Sequence, residues 1–179
     1  MHPPRYVPDE AALARLGDLA RPWRCPHCGR SGTLNAHGRL QGGAETGPGK
    51  NALRGRRFFC SNRGRRPGCG RTCSVHLAQV LRGASVRTGS LWRFCRARLA
   101  GLGVLAAWEQ ARTGFSLESA YRWWHRWEQA ASTLRTHLLW RGREPPGTMA
   151  AAIIRRYGAA DPLAGFQMRE QRAWPGLAS

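Results

Sequence analysis

The strongest constraint on the fold of this chain is a set of cysteines arranged in two halves. The first half is Cys25-Pro-His-Cys28-Gly29, a pair of thiols on a tight turn that the glycine permits. The second half is Cys60-x8-Cys69-Gly70, which repeats the Cys-Gly feature. Four thiolates make a closed tetrahedral zinc site that serves structure rather than catalysis. We therefore predict one structural Zn²⁺ held by Cys25, Cys28, Cys60 and Cys69.

The spacing of the second half leaves other ligands open. Eight residues separate its two cysteines, which is longer than the usual two to four, so that Arg63–Gly68 must loop out. Cys73 and His76 are therefore rival ligands, and His37 is a weaker one.

The charge balance points to a polyanionic partner. The chain has 29 basic and 10 acidic residues among 179, a formal net charge of +19, and all the basic residues except Lys50 are arginines. A compact chain with this charge repels itself unless a partner neutralises it, and nucleic acid is the partner that fits best. The few scattered carboxylates leave little material for a catalytic site, so we expect no enzyme.

The chain has neither a long apolar run nor an apolar segment near its start. We therefore expect no membrane span and no secretory signal, and we expect the protein in the cytoplasm. Cysteines in that compartment favour metal binding over disulfides.

The sequence pattern predicts a small zinc-ribbon β-hairpin module followed by an all-α helix-turn-helix domain, α-rich overall with flexible ends. The expected boundaries are 1–22 for an N-terminal helix and linker, 23–83 for the ribbon with its trailing helix, 84–143 for a three-helix domain, and 144–179 for a short helical tail.

Helix-capping and turn residues define the expected helices and the expected hairpin tip. Asp9 caps a helix over 9–20, the glycine-rich stretch Gln41–Lys50 is a flexible hairpin tip, and Ser74 caps a helix over 74–83. Further helices are expected at 91–99, 104–112, 117–140, 149–157 and 162–172.

Two groups of residues are expected to contact nucleic acid. Arginines bracket the second half of the cysteine set, and we expect them to bind phosphates: Arg54, Arg56, Arg57, Arg63, Arg65, Arg66 and Arg71. The helix that begins at Leu117 carries Ser119, Arg122 and Arg126 on a polar face, residue types that suit base recognition in the major groove. Its opposite face is apolar and is expected to include Tyr121 and Trp124.

The cysteine pattern, Arg57-Phe-Phe-Cys60 and Cys69-Gly-Arg-Thr72 together resemble the zinc ribbon at the N-terminus of bacterial insertion-sequence transposases. In that family a helix-turn-helix follows the ribbon, and the resemblance covers residues 23–140. It implies the same four cysteine ligands and a bacterial protein that is associated with the nucleoid. The eight-residue spacing departs from the family, and the acidic catalytic core of a transposase is missing.

We therefore expect a zinc-dependent, sequence-specific protein that binds double-stranded DNA, either as the recognition part or accessory of a mobile element or as a transcription regulator. It could act as a homodimer or within a larger nucleoprotein complex. One alternative is an RNA-binding zinc-ribbon protein in which Phe58, Trp92 or Trp123 stacks on bases. Another is a basic interaction subunit of a larger nucleoprotein machine.

Overall fold

A computed structural model describes residues 1–20, 22–45, 47–64, 67–139 and 147–174. These residues form a mixed four-stranded sheet and six helices. In chain order the elements are β1 (Tyr6–Val7), α1 (Glu10–Asp18), β2 (Leu34–Ala44), β3 (Gly47–Cys60), β4 (Thr72–Leu77), α2 (Thr88–Leu99), α3 (Val104–Ala111), α4 (Leu117–Leu139), α5 (Met149–Tyr157) and α6 (Pro162–Glu170).

The chain divides into two compact units. Unit 1 comprises Met1–Gly43 and Asn51–Ala78, and unit 2 comprises Ala44–Lys50 and Gln79–Ser179. Unit 1 therefore holds the four cysteines of the predicted metal site, and unit 2 holds α2 to α6.

The sheet has the strand order β1-β4-β3-β2. β1 runs parallel to β4, with Tyr6 opposite His76, and β3 runs antiparallel to β4. The connection between β2 and β3 is only two residues long, which permits only antiparallel pairing. In unit 1, α1 packs on β1 and β4, and its Leu13 is buried together with Val75 and Leu77 of β4.

The predicted fold class is wrong, because a mixed sheet of four strands replaces the small hairpin module. The helix expected over 74–83 does not form from Ser74, since Thr72–Leu77 is strand β4. Val75 and Leu77 alternate with less buried neighbours, and this two-residue period is that of a strand. Backbone hydrogen bonds from His76 N to Arg5 O (2.9 Å) and from Ala78 N to Val7 O (2.8 Å) add β1 to the sheet.

The prediction of a flexible tip over Gln41–Lys50 is also wrong, because β2 continues to Ala44 and β3 begins at Gly47. Gly42 does not serve as a turn residue. A Cβ at that position would lie 2.5 Å from Cδ of Arg54, so the glycine leaves room for an arginine side chain.

Apart from the helix expected over 74–83, the predicted helices form close to their expected positions. Asp9 caps α1 by accepting a hydrogen bond from Ala12 N at 2.7 Å, as expected. The predictions for α3, α5 and α6 are confirmed to within two residues, and α4 begins at Leu117 as predicted. Its expected end at Trp140 lies outside the described residues.

Aromatic side chains fill the core of unit 2. Trp127 stacks on Trp174 with ring centroids 5.7 Å apart, and Phe166 meets Trp174 edge-on at 4.8 Å. Trp174 is fully buried. The tail with α5 and α6 is therefore part of this core and not a flexible end. Within the described part of the chain, no helix has both the length and the hydrophobicity to span a membrane.

Candidate metal centre and nucleic-acid interface

The structure brings the sulfur atoms of Cys25, Cys28, Cys60 and Cys69 together in unit 1. All four lie within 4.8 Å of one another, with Cys25 and Cys69 3.8 Å apart and Cys28 and Cys60 also 3.8 Å apart. Cys25 and Cys60 are fully buried. These four side chains could hold a metal ion, and they are the four that the sequence pattern selects.

The first cysteine pair lies on a turn that directs backbone N–H groups at sulfur. His27 N donates to Cys25 Sγ at 3.4 Å, and Gly29 N donates to Cys25 O at 2.9 Å. Gly29 has a φ of 72°, a left-handed conformation that favours glycine. The local sequence Cys-Pro-His-Cys-Gly therefore forms the turn that positions both N–H groups.

The second pair has the same backbone pattern despite its longer spacing. Cys69 N donates to Cys60 Sγ at 3.3 Å, and Gly70 N donates to Cys60 O at 2.9 Å. Gly70 has a φ of 71°, almost the value at Gly29. A hydrogen bond of 3.0 Å from Gly68 N to Ser61 O joins the two ends of the intervening segment. The two cysteines therefore keep this backbone pattern across the longer spacing.

The surroundings of Cys25 and Cys60 shift the pKa values of these two thiols in opposite directions. Burial raises the pKa of Cys25 to about 12, against the lowering effect of the backbone N–H groups of His27 and Cys28. Burial also acts to raise the pKa of Cys60, but hydrogen bonds from Thr33 and from the Cys69 backbone, with the neighbouring thiols, lower it to about 7. Cys60 therefore ionises more readily than Cys25.

The rival ligands lie outside this cluster. Cys73 is on β4 and half-buried, and burial followed by charge on Cys60 and Cys69 raises its pKa. The His76 ring lies 6.0 Å from that of Tyr6, and the His37 ring lies 5.6 Å from that of Phe59. Among the described residues, the candidate metal group contains none of these three.

The arginines expected to bind phosphates are distributed differently from the prediction. Arg54, Arg56 and Arg57 lie in strand β3 and not in a loop. The Arg56 guanidinium lies against Gly17 of α1, and the Arg54 side chain lies against Gly42. Both arginine side chains are therefore only partly exposed. Exposed positions are occupied by Arg57, Arg63 and Arg71. Arg65 and Arg66 lie outside the described residues.

The polar face of α4 lies where the sequence predicts it, but the apolar face is rotated. The buried positions are Ala120, Trp123, Trp127, Ala130 and Leu134, whereas Tyr121, expected on the apolar face, is 57% exposed. Arg122 and Arg126 are exposed, and Ser119 is half-buried. These three residues line a groove together with the loop Gly83–Val86.

The residues proposed to stack on RNA bases are not available for stacking. Phe58 and Trp92 are each 2% exposed, and Trp123 is 9% exposed. Each forms part of the core of its own unit.

Sequence reasoning missed two contributors to these sites. The first is Thr33, which is buried with its Oγ1 3.2 Å from Cys60 Sγ. The second is the loop Gly83–Val86, which was assigned to a domain boundary. No local pattern marks either one, because each reaches its partner only through the fold.

No protein-family model matches the sequence, and neither a curated protein nor a solved structure shows significant similarity to it.

Proposed function

We propose that this chain is a zinc-dependent protein that binds double-stranded DNA and is not an enzyme. The observation that carries the proposal is the distribution of charge. Between Asp18 and Glu109 the chain has seventeen basic residues and a single acidic one, Glu45. That stretch contains all four clustered cysteines. A basic stretch that includes a candidate metal centre suits the phosphate backbone, whose neutralisation dominates affinity for nucleic acid.

The donor set supports Zn²⁺ as the metal. A tetrahedral ion with zinc–sulfur bonds of about 2.3 Å requires sulfur atoms about 3.8 Å apart. Two of the sulfur pairs are separated by 3.8 Å. All-thiolate tetrahedral sites favour zinc or iron, and the two are distinguished by the visible absorption of iron bound to thiolates.

The three residues considered for stacking on RNA bases are buried, and this removes the observation that supported the RNA alternative. Proteins that bind single strands rely on exposed aromatic side chains on which bases stack. Phe58, Trp92 and Trp123 are at most 9% exposed. In unit 2, α3, the Gly114 turn and α4 have the order of a helix-turn-helix, and Arg122 and Arg126 near the start of α4 are exposed. The resemblance to the N-terminal region of insertion-sequence transposases implies the same order of elements.

Binding of the metal-analysed protein to random-sequence duplex DNA, single-stranded DNA and RNA tests the proposal. We expect one zinc per chain and duplex affinity that falls steeply between about 50 and 200 mM salt. A chelator should abolish the contribution of unit 1 to the affinity for duplex DNA. Zinc-loaded protein without duplex preference would contradict the DNA proposal, and a preference for RNA would support the alternative. A Cys25→Ser, Cys28→Ser variant, compared with Cys73→Ser, separates metal loss from simple loss of a thiol.

A further inference from the structure

A basic groove in unit 2 lies beside the first half of α4. It has a volume of about 330 Å³ and is lined by the loop Gly83–Val86, by Phe115 and by residues of α4. The polar side chains of the α4 wall are Ser119, Arg122 and Arg126. Among the described residues that line this groove, none carries a carboxylate.

Neighbouring side chains hold both arginines in place. The Arg126 guanidinium lies over the Trp123 ring, 5.1 Å from its centroid. A guanidinium has five N–H donors, and a contact of this kind with an aromatic ring does not use them all. Arg122 Nη2 donates to Ser119 Oγ at 3.3 Å, which engages one of its several donors. Two partly ordered guanidinium groups therefore flank one concave surface.

The concave shape bears on what these arginines can recognise. A helix that reads bases must project as a ridge into the major groove, which is about 12 Å wide. Ser119, Arg122 and Arg126 instead line a groove together with the loop Gly83–Val86. A tetrahedral oxyanion that projects from its own backbone fits such a recess, and guanidinium groups match its oxygen atoms.

We propose that this groove is a phosphate site, in which Arg122 and Arg126 bind a phosphodiester of the nucleic-acid backbone instead of reading bases. The nucleic-acid source of the phosphate rests on the function proposed above. The ability of the groove to bind phosphate does not rest on that function, because free phosphate presents the same oxygen atoms.

Two measurements on the full chain test this inference. In the first, inorganic phosphate is titrated into protein labelled with ¹⁵N-arginine, and we expect the Nε–Hε signals of Arg122 and Arg126 to shift. In the second, the salt dependence of random-duplex binding is compared for wild type and Arg122→Ala, Arg126→Ala. The double variant should lower the slope of log affinity against log salt by about 1, which corresponds to one phosphate contact. It should weaken all duplex sequences equally.

The matched control is Arg135→Ala, which removes an exposed arginine from the same helix outside the groove. This control should change the slope of log affinity against log salt much less than the double groove variant does. Arg122→Gln, which retains the side-chain stem and leaves Arg126 on Trp123, keeps the test valid if the double variant unfolds. It should also reduce the slope.

The outcomes separate this inference from the proposed function. Phosphate-induced shifts without any DNA binding would overturn the function and leave the phosphate site intact. DNA binding with an unchanged slope in the groove variants, and with no shift on adding phosphate, would overturn the phosphate site. A loss of affinity confined to particular duplex sequences would show that the arginines read bases, and this also contradicts the inference.

Discussion

Thr33 shows how a single buried hydroxyl can adjust the candidate metal centre. Its Oγ1 lies 3.2 Å from Cys60 Sγ and 3.4 Å from the carbonyl of Arg30. A thiolate can only accept, so that the hydroxyl proton must point to sulfur once Cys60 ionises. Hydrogen bonds to ligating atoms orient the ligand and tune its affinity for the metal. Thr33 should therefore stabilise the metal-bound form.

Replacing Thr33 by valine removes this donor while keeping the shape of the side chain. We expect Thr33→Val to bind zinc about 10–100-fold more weakly, the range for loss of such a partner. Competition with a chromophoric chelator measures the change. Thr33→Ser retains the hydroxyl and should remain close to wild type. Equal affinities for the valine and serine variants would show that the hydroxyl has no part in binding.

Among the elements, the pairing of β3 with β4 depends on the absence of a side chain at Gly55. This residue pairs with His76, and a Cβ on it would lie only 2.2 Å from Val75 O. The obstacle is backbone, so it cannot move aside as a flexible side chain could. The close approach of the two strands thus requires glycine for reasons of space.

We expect Gly55→Ala to lower the free energy of unfolding of unit 1 by about 1–3 kcal/mol, the usual cost of overpacking. Denaturation of the zinc-loaded protein in guanidinium chloride measures the effect. Gly38 on β2 is the matched control, because nothing lies within 4 Å of its missing Cβ. Gly38→Ala should stabilise the strand by about 0.5–1 kcal/mol. Similar changes at both positions would contradict the steric argument.

Local signals explain which elements are predictable from the sequence. Asp9 marks α1, Thr148 caps α5 by accepting from Ala151 N, and Pro162 begins α6, so each helix carries its own boundary residue. β1 has only two residues and owes its existence to its pairing with β4, which lies far away in sequence. No periodicity can show an element of that length.

The candidate metal centre follows the same division between local and non-local information. Its four cysteines are recognisable because each pair carries a following glycine at 29 or 70. Thr33 is not recognisable, since its contact with Cys60 spans 27 positions in the chain. The rotation of the apolar face of α4 is likewise set by packing within unit 2, where Trp123 is buried and Tyr121 is exposed.

At the scale of the whole molecule, we expect the two units to have different sources of stability. Unit 2 has its own apolar core of aromatic and aliphatic side chains from α2 to α6. Unit 1 contains all four clustered cysteines and a smaller set of buried apolar residues. Structural zinc contributes an apparent free energy of about 10–16 kcal/mol at neutral pH in small modules. This is comparable to the total stability of a typical domain, about 5–15 kcal/mol.

Removal of the metal should therefore affect unit 1 alone. After treatment with a chelator, we expect amide hydrogen exchange to accelerate throughout 1–43 and 51–78. The helices of unit 2 between 88 and 170 should keep their protection, because their core includes none of the ligating cysteines. Mass spectrometry of the exchanged peptides resolves the two sets. The Cys25→Ser, Cys28→Ser variant should reproduce the chelated pattern without a chelator, and readdition of zinc should restore protection only in wild type. Equal loss of protection in both units would show that the metal supports the whole chain.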